Sequence, residues 1–232
     1  MLPYTGDHFG NPSSVRAHLP VPTPHFPSLL PDPALALCGQ GHAFGRPCAA
    51  AVDTARDRLA KMIRATPSEV IFTSCGSESD NHAIHIALAR AKGLLAAGVT
   101  PHIVTTNIEH PAIDACLAAL EGQGAVSVTR VGVDSEGLVG VDEVAAAVKP
   151  GATVLVTIMH SNNEVGAVQP IAEIGAAVRA KEGRGRAGWH CLLHTDAAQS
   201  VCLHTHTHTP PTPTDLPIPP LTRLLALNLP SS

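Results

Sequence analysis

Asp196 and Gln199 stand in LLHTDAAQS, residues 192–200, just past an apolar run. That is where an open α/β sheet holds its ligands, beyond the carboxyl ends of the strands. Three further loops offer polar groups of a matching kind. FTSCGSESDN, residues 72–81, sets a small-residue turn before a helical pattern, so the backbone N–H groups of Gly76 and Ser77 can face a phosphate with the helix dipole behind them. TTNIEHPA places His110 at a helix start, and IMHSNNEVGAVQP brings Asn162 and Asn163 after a strand. An anion cradle, an imidazole, amides and a carboxylate are the groups a charged aromatic cofactor needs. Each also has a plainer use. His110, after Glu109, can cap a helix, Asn162 and Asn163 are common turn residues, and Asp196 can be an ordinary strand-end carboxylate. GQGHAFG, residues 39–45, has the wrong spacing for a dinucleotide loop and no strand before it.

The elements that must carry these loops alternate along the chain. From Arg46 to Ile63, Cys48, Val52, Ala55, Leu59 and Met62 recur at spacings of four and three, which predicts an amphipathic helix. EVIFTS then reads as a buried strand, and after a turn at Gly76, Ser77 can cap a helix through Ala83, Ile84, Ala87, Leu88 and Ala91. HIVTT is the next strand, and Pro111 suits the first position of a helix ending near Gly122. Strands follow at Ala125 to Val131 and Thr153 to Met159, helices near Asp142 to Val148 and Pro170 to Lys181, and a last strand, HCLLHT, leads to Asp196. Such alternation predicts an α/β fold, a mainly parallel sheet with helices on both faces.

Composition narrows the function classes. The 232 residues are 44% hydrophobic and 15% charged, ordinary for a globular core. The formal charge of −4 carries no basic stripe, so no nucleic-acid partner is expected. No apolar run approaches a bilayer span, and the first residues lack a basic region followed by an apolar one, so a cytoplasmic protein with no membrane partner is expected. The six cysteines form no C-x-x-C pair, which indicates neither zinc nor a disulfide framework, and no metal is expected. Dense proline marks residues 19–41 as an insertion and 201–232 as a disordered Thr/His/Pro tail, where the alternation of His204, His206 and His208 reads as low complexity rather than a metal site.

Taken together, HFGNPSS, GRPCAAAVDTARDRLAKMI, EVIFTSCGSESDN, IVTTNIEHPAIDACL, VLVTIMHSNNEVGAVQPIAEI and LLHTDAAQS resemble the cysteine desulfurase and selenocysteine lyase branch of the class V aminotransferase-like pyridoxal phosphate enzymes. The resemblance implies that residues 1–200 are part of the large domain of a fold-type I enzyme. It implies that Gly76 and Ser77 hold the phosphate of pyridoxal 5'-phosphate, that His110 stacks on the ring and shuttles protons, that Asn163 and Gln199 face the phenolic oxygen, and that Asp196 pairs with the ring nitrogen. A carboxylate there keeps that nitrogen protonated, so the ring can act as an electron sink. The implied substrate is cysteine or selenocysteine, giving alanine, and the implied assembly is a homodimer. Lys181 is the last lysine, whereas the family's Schiff-base lysine, acceptor cysteine and substrate-binding arginine lie beyond the HTDAAQ segment. A shortened form without turnover is therefore expected, or else a non-catalytic partner that regulates a full-length relative. Cys75 stands where the family has a small residue; a left-handed backbone there would cost about 1–2 kcal/mol.

Overall fold

The computed structural model describes residues 45–63, 65–92, 95, 98–182 and 190–200, and the backbone of 223–226. The chain falls into two compact units, residues 1–72 and 73–232. The proline-rich stretch 19–41 and the His204 to His208 alternation lie outside the described residues.

In the first unit, helix α1 (Arg46–Met62) opens with proline in its first turn and buries Cys48, Ala49 and Ala60. Of the expected apolar stripe, Ala55 and Met62 are exposed. The segment read as the strand EVIFTS is different in the structure. Thr66 and Glu69 close a capping box around a short 3₁₀ turn, Pro67–Glu69, and Val70 to Phe72 follow as irregular chain. Ile71 is 62% exposed. An apolar run supplies side chains for a strand but not the second backbone that must pair with it, and none of the described residues does so. Arg56 instead lies over the Phe72 ring, 4.9 Å from its centre, and donates to the carbonyl of Val70.

The second unit is a parallel sheet. Strands β1 (His102–Thr106), β2 (Ser127–Val131), β3 (Thr153–Thr157), β4 (Leu192–Asp196) and β5 (Arg223–Ala226) lie in the order β2-β1-β3-β4-β5, with every pair parallel. Helix α2 (Gly76–Ala91) precedes β1, and α3 (Pro111–Gly122), α4 (Val141–Ala147) and α5 (Ile171–Glu182) occupy the crossovers. Strands β1 and β3 are buried at every position, as expected for central strands covered on both faces. Because side chains alternate along a strand, Ile103, Leu155 and Leu192 face Ile84 and Ala87 of α2 and Ile113 and Leu117 of α3. Val104, Val156 and Leu193 face Val144 of α4 and Ile174 and Val178 of α5. At the amino-terminal end of the sheet the His102 ring bridges Thr153 of β3 and Thr129 of β2, both at 2.8 Å. Burial pushes that imidazole down to about 4, so at neutral pH it is an uncharged clasp across three strands.

Strand β5 corrects one expectation. Four residues inside the stretch read as a disordered tail pair with β4, Leu193 to Arg223 through Asp196 to Ala226. The apolar run RLLAL resumes after the prolines, and the open edge of β4 offers it backbone partners.

Candidate functional site

Three elements of the second unit converge at the carboxyl ends of β1, β3 and β4. Helix α2 arrives there because Asp80, in its second turn, lies against the ring of His194 in β4, with Oδ1 3.7 Å from Nε2. Gly76 is about one helical turn further out, past the strand ends. The helix begins two residues earlier than expected, with Cys75 as its N-cap and Gly76 as its first helical residue, so Ser77 does not cap it. Cys75 makes no side-chain cap and takes an extended backbone, φ −162°, so the anticipated strain is absent. The first N–H groups of an α-helix have no partner in the helix itself. Glu78 turns away from them to accept from the Ser74 amide at 2.5 Å, and hydrogen bonding from the Ser74 side chain first, and this amide second, holds its carboxyl below the usual range.

The segment after β1 presents His110. It is the N-cap of α3, its Nδ1 accepting from the Ala112 amide at 3.1 Å. A neutral ring in that role carries its proton on Nε2, which leaves the ring faces available. The capping role and a role towards a ligand are therefore compatible. Neighbouring Glu109 ties the loop to β3: both its oxygens lie 3.0 Å from the Met159 amide, and Thr106 donates to it at 2.5 Å. Burial raises Glu109 to about 7, against those two bonds, with Asp196 and Asp80 adding to the rise.

Asn162 and Asn163 part company. Asn162 is buried and structural: its Oδ1 accepts from the amides of Glu164 and Val165, both at 2.9 Å, and its Nδ2 donates to the Ile108 carbonyl at 3.0 Å. It thus folds its own turn and fastens that turn to the loop carrying His110. Asn163, next in sequence, is exposed.

At the end of β4, Oδ1 of the half-buried Asp196 accepts from the Ala198 amide at 2.9 Å, a turn that fixes the carboxylate. The His160 amide donates to the Asp196 carbonyl at 2.8 Å, and the His160 ring meets Ser200 at 2.8 Å, so the loops after β3 and β4 are joined. Gln199 is exposed beside them. The fold therefore brings Gly76, Ser77, His110 and Asp196 to one edge, whereas Asn163 and Gln199 make no hydrogen bond to Asp196 among the described residues.

Sequence reading missed the polar residues beneath this edge, the buried Asp80 and His194 and the half-buried Glu109. One signal for them was available, because Asp80 falls three and four residues before Ala83 and Ile84, on the face of α2 expected to be apolar.

Comparison with known proteins agrees with this geometry. The family described as aminotransferase class-V matches residues 36–210. A cysteine desulfurase of Nostoc sp. is 38% identical over 201 residues, covering 87% of this chain and 40% of the relative. Among solved structures, a NifS-like protein aligns with a TM-score of 0.64 at 28% identity, covering 86% of this chain and 44% of that one. SspA in complex with cysteine aligns with a TM-score of 0.62 at 31% identity, covering 85% and 45%. The chain thus spans about two fifths of the length of the curated relative it matches.

Proposed function

Because the chain belongs to the class-V aminotransferase family, with cysteine desulfurases among its relatives, we propose that it holds pyridoxal 5'-phosphate at the edge where α2, His110 and Asp196 meet. Members of this family are pyridoxal phosphate-dependent. The groups present fit that molecule: an uncapped helix start for a phosphate, an imidazole face for a ring and a fixed carboxylate for a protonated nitrogen. When bound, the cofactor supplies an electron sink for bonds at the α-carbon of an amino acid.

The residues divide the work as follows. The amides of Gly76 and Ser77 bind the phosphate, with the α2 dipole behind them. His110 lies against one ring face, its cap to Ala112 fixing which nitrogen keeps the proton. Asp196 accepts from the ring N–H and holds that proton in place. Asn163 and Gln199, exposed on loops joined through His160, would be the groups to meet the phenolic oxygen. Cysteine or selenocysteine is the substrate class, as in the desulfurase and lyase branch, and the family's homodimer and a cytoplasmic setting belong to the same proposal. Among the described residues no helix is long and apolar enough to cross a membrane.

Binding without turnover is the form proposed for this chain. The lysines of the sheet unit are Lys92 and Lys181, at the carboxyl ends of α2 and α5, and Lys149, just before β3. In a parallel sheet with helical crossovers those positions are at the edge opposite the strand ends. The observation that carries the proposal is the seating of Asp80 of α2 against His194 of β4, which brings the start of α2 to the strand end that carries Asp196. It is tested by titrating the chain with pyridoxal phosphate, following absorbance, then reducing with borohydride. Saturable binding, weakened at least about tenfold in Asp196→Ala with no single lysine labelled and no alanine formed, is expected. Absence of saturable binding overturns the proposal, and stoichiometric labelling of one lysine overturns its non-covalent part.

A further inference from the structure

The face of the sheet under α2 is apolar except for one polar layer. Thr105, Thr157 and His194 lie side by side across β1, β3 and β4, and Asp80 closes on them from the helix. Asp80 is 2% exposed and His194 fully buried. The ring is fixed from one side, Nδ1 meeting Thr157 Oγ1 at 2.8 Å. On the other side, Asp80 Oδ1 and His194 Nε2 face each other at 3.7 Å, and neither has a hydrogen-bond partner among the described residues. Two buried orphans aimed at each other are a costly arrangement unless a proton lies between them.

Asp196 adds the second constraint. It is two residues beyond His194 on the same face of β4, and its charge opposes a second charge on Asp80. The titratable groups facing Asp80 are His194 and Asp196 of β4 and Glu109 after β1. Burial first, and Asp196 second, raise Asp80 to about 7, while burial alone lowers His194 to about 4.

Resting on the cofactor site above, we infer that Asp80 and His194 are a positioning pair that keeps one proton between them, so that Asp196 is left as the charged partner for the ring nitrogen. The proton is on the Asp80 carboxyl, directed at Nε2, with Nδ1–H donated to Thr157. No net charge is then buried under α2, and one carboxylate meets one pyridinium.

The test uses the full chain without cofactor, labelled with carboxyl-¹³C aspartate and ¹⁵N histidine, and followed by NMR from pH 4 to 8. Asp80→Asn and Asp196→Asn assign the signals. At about pH 6 the Asp80 carboxyl is expected protonated and His194 neutral. An ionised Asp80 beside a neutral His194 at that pH overturns the inference, and this reading needs the wild-type chain alone. Asp80→Asn has the shape of the protonated acid without its charge and can still donate to Nε2, so His194 should keep its proton on Nδ1 as in the wild type. A switch of the His194 proton between Nε2 in the wild type and Nδ1 in the variant would show that Asp80 is charged in the wild type, and would overturn the pair. Pyridoxal phosphate titration of the same samples separates the two proposals. Failure to bind removes the cofactor site, and the proton count then stands or falls by its own spectra.

Discussion

Replacing Asn162 by alanine should loosen the edge that carries the site without touching a ligand-facing group. The side chain accepts from two amides at 2.9 Å and donates to the Ile108 carbonyl at 3.0 Å. The amides of Glu164 and Val165 lie in an exposed turn and can be rehydrated, so each bond contributes at the low end of the usual range, about 0.5 kcal/mol. The bond to Ile108 spans two loops and contributes about 1 kcal/mol, and the lost packing of a side chain that is 7% exposed adds a similar amount. The total is about 2–3 kcal/mol. For a domain of this size that corresponds to a drop of about 4–12 °C in Tm, read by calorimetry or circular dichroism. Asn162→Asp sharpens the test. It keeps the acceptor for the two amides but turns an oxygen towards the Ile108 carbonyl, so it should be as damaging as alanine at pH 7. Below about pH 4 its protonated carboxyl can donate again, and the gap to wild type should narrow. If Asn162→Ala stays within about 0.5 kcal/mol of wild type, this side chain does not tie the two loops together.

Three further outcomes are expected. Asp80 and Glu109, raised to about 7, bind protons more tightly folded than unfolded, so each makes stability fall between about pH 4.5 and 7; His102 and His194, lowered to about 4, make it rise between about 4 and 6.5. These slopes oppose each other in the wild type. Glu109→Gln removes one falling slope of up to about 1.4 kcal/mol per pH unit, and parallel urea-midpoint curves for variant and wild type from pH 5 to 6.5 would contradict this. His110→Ala should cost about 1 kcal/mol through the lost cap on Ala112, whereas His110→Asp should restore stability but not pyridoxal phosphate affinity; thermal melts and cofactor titration separate cap from ring. Gly137, at φ +79° with a would-be Cβ 3.1 Å from Ala167, should lose about 1–2 kcal/mol on substitution by alanine, measured by denaturant unfolding; a neutral change would mean the turn adapts.

Much of the scaffold was legible because it is written in short-range periods. The helical recurrence in α2 and the unbroken apolar runs of β1 and β3 follow from which faces must be buried, and neighbouring residues carry that information. The loops holding His110 and Asp196 could be placed for the same reason, since they follow runs that are strands. EVIFTS was misread because a strand needs a partner backbone, and its own letters do not say whether one is there. The capping of α2 at Cys75 rather than Ser77 was set by the backbone of Cys75 and by Glu78 bonding to Ser74, a choice among neighbouring small residues that composition leaves open.

The sequence by itself determined the alternation of elements, the parallel α/β class and the family, since all three rest on local pattern and on motif spacing. Only the tertiary structure decided that Asn162 is a tether and Asn163 is not, that β5 covers the edge of β4, and that Asp80, Glu109 and His194 lie beneath Asp196. These are contacts between residues as far as 114 positions apart along the chain, His194 with Asp80. A carboxyl group's charge depends on what surrounds it in space, and no local pattern along the chain reports that.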